Sequence, residues 1–174
     1  MRLFIAVDLS DELKRYVNSL QQTFEAKGTN LARRFHLTLK FLGETPEEKI
    51  PEIKKALSTI SFDPFTATLS PIGVFPDEKR IRVIWVGAQP EDKFNELSEK
   101  VNTVLENLFP KDTRFYPHIT LGRVKFVPDK PALLEKLKQP VEPKEFPVNK
   151  IILFKSTLTD EGHVYEELWQ SKPL

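Results

Sequence analysis

Short apolar runs and longer stretches with helical periodicity alternate along the chain, and their order occurs twice. Residues 2–7 and 82–87 are aliphatic and aromatic runs of the kind that form buried strands. Each run is followed by apolar residues three or four positions apart, within residues 13–24 and 94–108. This spacing predicts amphipathic helices, each with acidic residues in its first turn. The repeated order indicates two similar halves.

Each half then continues with a second strand, a second helix and a closing strand. The segment Thr45-Pro46-Glu47-Glu48 has the pattern of a capping box, which predicts a helix along the apolar stripe that follows it. A turn at residues 160–162 predicts a C-terminal hairpin. The other expected segments are closing strands around 65–75 and 146–155 and a shorter second helix near 129–139.

The order of elements in each half is therefore β-α-β-α-β, and we expect an α+β fold. Two mainly antiparallel sheets would face a central cleft, with the helices outside. With 174 residues, 40% of them hydrophobic, the chain is long enough for one compact domain with a real core. We predict a single bilobal domain over residues 1–174, with repeats at about 1–78 and about 79–174.

Composition and charge argue against several classes of protein. The 26 basic and 25 acidic residues nearly cancel to a net charge of +1, which argues against a chain that coats nucleic acid or an anionic membrane. The absence of cysteine excludes disulfides, thiolate metal sites and a cysteine nucleophile. The apolar run at the N-terminus ends at Asp8, which makes it too short for a signal peptide or a membrane span. We expect a cytoplasmic protein without membrane contact.

Two of the three histidines lie in the same four-residue motif, His-x-Thr-x, with aliphatic residues at both x positions. The motif begins at His36 in the first half and at His118 in the second. Side chains alternate between the faces of a strand, so Thr38 and Lys40 share the face of the first histidine while the aliphatic residues face the core. Thr120 has the same relation to the second histidine. Both motifs are therefore expected to line one polar cleft, facing each other across it.

Two imidazoles across a cleft suit phosphodiester hydrolysis that needs no metal. A neutral histidine removes a proton from the attacking water, and a protonated histidine donates one to the leaving oxygen. The hydroxyls of Thr38 and Thr120 can donate hydrogen bonds to the non-bridging oxygens of the anionic transition state. Two alternatives stay open: a structural role for each histidine, and a metal site, for which neither motif offers a ligand cluster. His163, in the predicted hairpin, is expected to be a surface residue.

Longer matches to a known family surround both motifs. Residues 36–44 have the sequence His-Leu-Thr-Leu-Lys-Phe-Leu-Gly-Glu, residues 118–123 have His-Ile-Thr-Leu-Gly-Arg, and residues 156–159 have Ser-Thr-Leu-Thr. These segments resemble the RNA 2',3'-cyclic phosphodiesterase family, also called 2'-5' RNA ligases, of the two-histidine phosphoesterase superfamily. The resemblance covers essentially the whole chain. A single motif is a weak signal, whereas two motifs with these continuations are specific.

The resemblance implies a bilobal enzyme that hydrolyses 2',3'-cyclic phosphate ends of RNA to 2'-phosphates, without a metal or nucleotide cofactor. It also implies reversible 2'-5' ligation of tRNA half-molecules. By motif, His36 and His118 are the acid–base pair, and Thr38 and Thr120 bind the phosphate. The near symmetry of the motifs leaves open which histidine is the acid. We expect a monomer whose partner is RNA.

Two other functions remain open alongside this one. The first is a module that binds or protects RNA ends, in which catalysis is incidental. The second is a phosphodiesterase for small cyclic or 2'-5' linked nucleotides. Turnover that depends on both histidines distinguishes the enzyme from the binding module, and relative kcat/KM values distinguish RNA ends from small nucleotides.

Further candidate site residues lie beside the motifs. Arg123 resembles the family's phosphate-contacting arginine, but strict alternation puts it on the face opposite His118. It reaches the phosphate only if the strand ends or bulges near Gly122. Phe35 or Phe115 could hold a base. A basic rim that contacts the RNA backbone is suggested by the clustering of Arg33, Arg34, Lys40, Arg114, Arg123 and Lys125.

Overall fold

A computed structural model of the chain describes residues 1–172 and contains four α-helices and nine β-strands over that range. In chain order the elements are β1 (Arg2–Val7), α1 (Asp11–Gln22), β2 (Thr29–Leu31), β3 (Leu37–Glu44), α2 (Ile50–Leu57), β4 (Phe65–Asp77), β5 (Arg80–Gln89), α3 (Glu91–Leu105), β6 (His118–Val124), α4 (Lys130–Leu137), β7 (Glu145–Val148), β8 (Ile152–Thr159) and β9 (Gly162–Gln170). The α+β class is confirmed, and the expected helices and most of the expected strands are present. The single strand expected around 146–155 is wrong, because this segment forms two strands, β7 and β8, which lie in different parts of the sheet. The sequence missed β2, because three residues without an apolar run carry no strand signal.

The strands form a single curled antiparallel sheet in the order β7-β4-β5-β6-β3-β1-β8-β9, with β2 added to β6. The expected antiparallel pairing is confirmed, but the expected separation into two sheets is not. The two parts of the sheet are joined where β3 pairs with β6, through Leu37 and Ile119 alone. This single pair makes the two motif strands neighbours at the centre of the sheet.

The two sequence halves exchange strands within this sheet. β4, from the first half, lies between β5 and β7 of the second half. The C-terminal hairpin of β8 and β9, from the second half, extends the sheet beyond β1. Each side of the sheet is therefore built from both halves of the chain.

The hydrophobic core lies between the sheet and the helices. Leu37, Leu39, Ile119 and Leu121, the aliphatic residues of the two motifs, are at most 2% exposed. Helix α1 contacts β6 and helix α3 contacts β3, so each helix packs beneath the motif strand of the other half. The aliphatic motif positions therefore anchor both strands to the core, as strand alternation predicts.

Helix α2 begins later than the capping-box pattern predicts. Thr45 is buried, and its hydroxyl donates to the Gly43 carbonyl at 3.2 Å instead of capping a helix. A single 3₁₀ turn occupies Glu47–Lys49, and the α-helix starts at Ile50 with Pro51 in its first turn. Proline favours that position because it has no N–H to leave unpaired. No helix among residues 1–172 is long and apolar enough to cross a membrane.

Candidate active site

The two His-x-Thr-x motifs lie on adjacent strands at the centre of the sheet. The antiparallel pairing of Leu37 with Ile119 directs the histidine of each motif toward the threonine of the other. His36, Thr38, His118 and Thr120 are partly accessible on the face away from the helices. From the sequence we expected the motifs to face each other across a groove. In the structure they lie side by side on neighbouring strands that form the floor of the groove.

Both motif strands contain a β-bulge immediately after the threonine. Along β3, Thr38 pairs with Ala6 and Lys40 with Ile5, so Leu39 is the extra residue. Along β6 the register against β5 shifts in the same way and makes Leu121 the extra residue. A bulge moves the side chains that directly follow it to the opposite face from the one that simple alternation predicts. The equivalent positions of the bulges preserve the repeat.

The bulge in β6 turns Arg123 onto the face that carries His118. Arg123 is exposed and lies close enough to His118 for its positive charge to lower the pKa of the imidazole. The sequence required a bulge near Gly122 for this placement, and the register shift lies at that point. Arg123 is therefore in position to contact an anion bound beside the second motif.

The bulge in β3 has the opposite consequence for Lys40, which the sequence placed in the basic rim. Lys40 is only 3% exposed and lies beneath the sheet. Its ammonium group donates to Asn102 Oδ1 at 2.7 Å and to the Pro110 carbonyl at 2.8 Å, and pairs with Asp112 at 3.2 Å. The prediction that Lys40 faces the cleft is therefore wrong, because the bulge reverses its direction.

His36 is held among aromatic rings. Its imidazole stacks on Phe4, with ring centroids 4.7 Å apart, and meets the edge of Tyr165 at 5.2 Å. Burial is the main reason that its pKa falls from 6.5 to about 4, with smaller contributions from the charges of Lys14 and His118. Asp8 raises the pKa only in part. His36 is therefore neutral over the physiological range and able to accept a proton.

His118 has a different environment, with a fixed tautomer. Its Nδ1 lies 2.7 Å from the Tyr116 carbonyl, which can only accept, so Nδ1 carries the proton and Nε2 is the titrating atom. Burial lowers its pKa, whereas the bond to Tyr116 opposes this by favouring the imidazolium. Phe75 meets the ring edge-on at 4.9 Å, and Trp85 lies 6.0 Å away. The two histidines thus share a motif but differ in their environments.

Phe41 is a cleft residue that the sequence did not indicate. It is 65% exposed and lies 6.2 Å from Phe4, the ring that stacks on His36. It occupies the place in the first repeat that Arg123 occupies in the second, one residue beyond the corresponding Lys40 or Gly122. Strict alternation assigns Phe41 to the core face, so only the bulge brings it to the cleft. An exposed aromatic ring at this point can stack on a base.

The remaining candidates from the sequence occupy more varied places. Phe35 and Phe115 are half-buried and pack against the hydrophobic core. Arg34 and Arg123 approach Tyr165, whose pKa is raised chiefly by burial and lowered in part by these two charges. The other members of the proposed basic rim are exposed, namely Arg33, Arg114 and Lys125.

His163 is exposed on β9, as expected for a surface residue, and its Nδ1 lies 3.1 Å from the Ser156 hydroxyl. Within residues 1–172, no three side chains of histidine, cysteine, aspartate or glutamate come together as metal ligands. The polar groups of the central cleft are therefore two imidazoles, two hydroxyls and the nearby arginines. Such a set can transfer protons and bind an anion.

Comparison with known proteins places this site in a family. The family profile of the 2'-5' RNA ligase superfamily matches residues 9–160. The chain belongs to the 2'-5' RNA ligase superfamily. It is 39% identical over 171 residues to the RNA 2',3'-cyclic phosphodiesterase of Methanocaldococcus jannaschii, covering 95% of this chain and 97% of that protein.

Two solved structures extend the similarity to the fold. The crystal structure of TT0787 from Thermus thermophilus superposes with a TM-score of 0.81 at 32% identity, covering 98% of this chain and 97% of that one. The structure of Escherichia coli LigT complexed with 3'-AMP gives 0.76 at 25% identity, covering 97% and 95%. The 2'-5' RNA ligase fold thus accounts for the whole chain rather than for the motifs alone.

Proposed function

We propose that this protein hydrolyses 2',3'-cyclic phosphate ends of RNA to 2'-phosphates, with His36 and His118 as its acid–base pair. The observation that carries the proposal is the meeting of two unlike imidazoles and two threonines on one cleft floor. The relative from M. jannaschii bears the name of this activity and matches along nearly its whole length. Hydrolysis of a phosphodiester by paired imidazoles needs no metal ion.

We base the proposed roles of the two histidines on their unequal environments. His36 has a pKa of about 4, so it is neutral and serves as the general base that takes a proton from water. The Nδ1–H of His118 donates to the Tyr116 carbonyl, which stabilises the imidazolium and leaves Nε2 as the donor to the leaving oxygen. A phosphodiester anion in the cleft raises the pKa of both imidazoles. His118 is therefore the general acid.

In the hydrolytic step, the oxygen of water forms a bond to phosphorus while the bond from phosphorus to O3' breaks. The proton of water passes to His36, and the proton on Nε2 of His118 passes to O3', which leaves as a hydroxyl. The phosphate remains on O2'. If a 5'-hydroxyl of a second RNA replaces water, the same step forms a 2'-5' linkage, which is the ligation we propose for tRNA halves.

Thr38, Thr120 and Arg123 bind the phosphate in this proposal. The two hydroxyls can donate to the non-bridging oxygens, and the guanidinium can form paired hydrogen bonds to the same group. Donors placed where negative charge develops lower the barrier because they need no reorganisation during the reaction. Phe41 would stack on the terminal base, and Arg33 and Arg34 would contact the backbone phosphates. We propose that the protein acts as a monomer, since one chain supplies every group that the reaction needs, and that it acts in the cytoplasm.

The pH dependence follows from the two free-enzyme pKa values. Activity measured as kcat/KM requires His36 neutral and His118 protonated. It should therefore rise as the pH increases through about 4 and decline again as the pH passes the lowered pKa of His118. The kcat profile should lie at higher pH, because bound substrate adds an anion beside both rings. A rate that continues to rise well above the range of histidine titration would contradict these roles.

The decisive experiment uses a short RNA with a 2',3'-cyclic phosphate end, assayed with wild type, His36→Ala and His118→Ala in the presence of a chelator. Each substitution should lower kcat by roughly 10²–10⁴-fold, the usual contribution of one acid or base. The wild-type rate should be unchanged by the chelator, and the product should carry a 2'-phosphate. Full activity in both variants, with unimpaired RNA binding, would instead support an RNA-end-binding module. Greater kcat/KM for small cyclic nucleotides would redirect the substrate assignment.

A further inference from the structure

Two buried amide side chains, Gln21 on α1 and Asn102 on α3, occupy equivalent places in the two halves. They are 2% and 4% exposed, respectively, and each lies near the C-terminal end of its helix. Each helix packs beneath the motif strand of the other half. A buried amide requires hydrogen-bond partners, because leaving it unpaired costs free energy. The partners of these two amides lie in the motif strands and in the segments that lead to the two histidines.

Gln21 connects the segment that leads to His36 with the strand of the second motif. Its Nε2 donates to the Ala32 carbonyl at 2.5 Å and to the Leu121 carbonyl at 2.8 Å. Ala32 lies just before the first histidine, and Leu121 is the bulge residue of β6. Both partners are carbonyl acceptors, so the amide must present its nitrogen to them.

Asn102 makes the reciprocal connection with the opposite polarity. Its Oδ1 accepts from Lys40 Nζ at 2.7 Å and from the Asp112 N–H at 3.1 Å. Lys40 follows the bulge of the first motif strand, and Asp112 lies in the loop that leads to His118. Lys40 strengthens the connection through the Pro110 carbonyl of the same loop. Both donors require the oxygen of the amide.

We propose that Gln21 and Asn102 are positioning residues that fix the two histidine motifs relative to each other. Each amide ties the approach segment of one histidine to the strand of the other motif. The loop held by Asn102 and Lys40 also contains Tyr116, whose carbonyl sets the tautomer of His118. The strand held by Gln21 carries Arg123 two residues beyond the bulge. The inference rests on the proposed acid–base roles of the histidines.

The two connections predict different kinetic effects. Loss of the Asn102 connection frees the loop, weakens the bond from His118 to Tyr116 and lowers the pKa of His118. The charged or titratable groups that face His118 are His36, Arg123 and Tyr116, since β4 and β5 present the uncharged rings of Phe75 and Trp85. The alkaline limb of kcat/KM should therefore move to lower pH.

Loss of the Gln21 connection instead displaces the approach to His36 and the β6 bulge that carries Arg123. We expect kcat/KM to fall roughly ten- to hundredfold, because small displacements of catalytic groups have effects of this size. The alkaline limb should keep its wild-type position, since the bond between His118 and Tyr116 is untouched. The position of that limb thus separates the two connections.

Isosteric substitutions provide the sharpest test. Asn102→Asp keeps the oxygen that accepts from Lys40 Nζ and the Asp112 N–H, and it loses only the donor to the Ser98 carbonyl of the same helix. Gln21→Glu instead loses the donor to both of its carbonyl partners, which lie outside its helix. We expect Asn102→Asp to preserve the alkaline limb and most of kcat, and Gln21→Glu to lower kcat/KM at least tenfold. Gln22→Leu, on the exposed neighbour of Gln21, is the matched control and should behave as wild type.

Asn102→Leu and Gln21→Met complete the set, with the pKa of His118 measured by NMR in each folded variant without substrate. A lower His118 pKa in Asn102→Leu, restored in Asn102→Asp, supports the proposal. If Asn102→Leu does not fold, the contrast between Asn102→Asp and Gln21→Glu decides. Wild-type kinetics in both acidic variants, or a wild-type His118 pKa in folded Asn102→Leu, would overturn it. If His118→Ala is also fully active, the proposed function itself fails.

Discussion

The burial of neutral His36 should make the protein less stable in acid, by an amount that can be isolated. The pKa of this imidazole is about 4 in the folded chain, against 6.5 for an ordinary histidine. Between these values the unfolded chain binds more protons than the folded chain. Protonation therefore favours unfolding, and the free energy of unfolding decreases as the pH falls from 6.5 to about 4.

The magnitude follows from the same two pKa values. At pH 4, the difference between the folded and unfolded pKa values corresponds to a loss of about 3 kcal/mol in the free energy of unfolding. We expect ~2 kcal/mol, because the ring keeps some contact with water, which weakens the effect of burial. His36→Phe retains an aromatic ring against Phe4 but cannot titrate. The carboxylates are common to both proteins, so the difference between their pH dependences reports on His36 together with its charge interaction with Asp8.

Guanidinium chloride unfolding near neutral pH and near pH 4 provides the measurement, with the free energy obtained from the midpoint and the slope. Wild type should lose ~2 kcal/mol more than His36→Phe over this interval. Tyr165→Ala, which removes the ring at the edge of His36, should admit water and reduce the wild-type loss. Equal losses in wild type and His36→Phe would refute the argument that burial keeps His36 neutral.

Three further predictions concern substrate binding. Phe41→Ala should raise KM for a cyclic-phosphate RNA roughly tenfold with a smaller effect on kcat, as expected for loss of a stacked base, whereas Phe126→Ala, at a similarly exposed ring, should not. Arg123→Gln should lower kcat/KM by roughly 10²–10³-fold and move the alkaline limb to higher pH, because the arginine lowers the pKa of His118. RNA affinity should fall as the salt concentration rises, and Arg34→Gln should make the slope of log affinity against log salt concentration shallower by about 0.7. A wild-type slope near zero would contradict a basic rim that contacts the RNA backbone.

Sequence patterns located the motifs and most of the elements, because burial enforces alternation along strands and periodicity along helices. Strict alternation predicts the correct face for each motif residue as far as Thr38 and Thr120, and the aliphatic neighbours of both threonines are buried. It fails immediately afterwards, because Leu39 and Leu121 are extra residues in their ladders. A bulge depends on how two strands pair, so residues along one strand do not reveal it. Its position decided the direction of Lys40.

The order of strands in the sheet could not be predicted from local sequence patterns either. Two similar halves suggested two separate sheets, but β3 and β6 join through a single pair of residues. The exchange of β4 and of the C-terminal hairpin between the two sides depends on long-range pairing. Neither feature changes hydrophobic periodicity, which reports only on the burial of each segment. Because of these two features, the motifs lie on neighbouring strands of one sheet and not on opposite sides of a groove.

The candidate site combines two similar motifs, but the reaction we propose gives their histidines different roles. The proposed reaction needs one imidazole neutral and the other protonated in the same molecule, and unlike environments select which of the two carries the proton. The difference arises outside the motifs, where Phe4 and Tyr165 enclose His36 while the Tyr116 carbonyl binds His118. The exposed ring of Phe41 adds a second asymmetry, since it lies 6.2 Å from Phe4, on the side of His36, with no aromatic counterpart at Arg123.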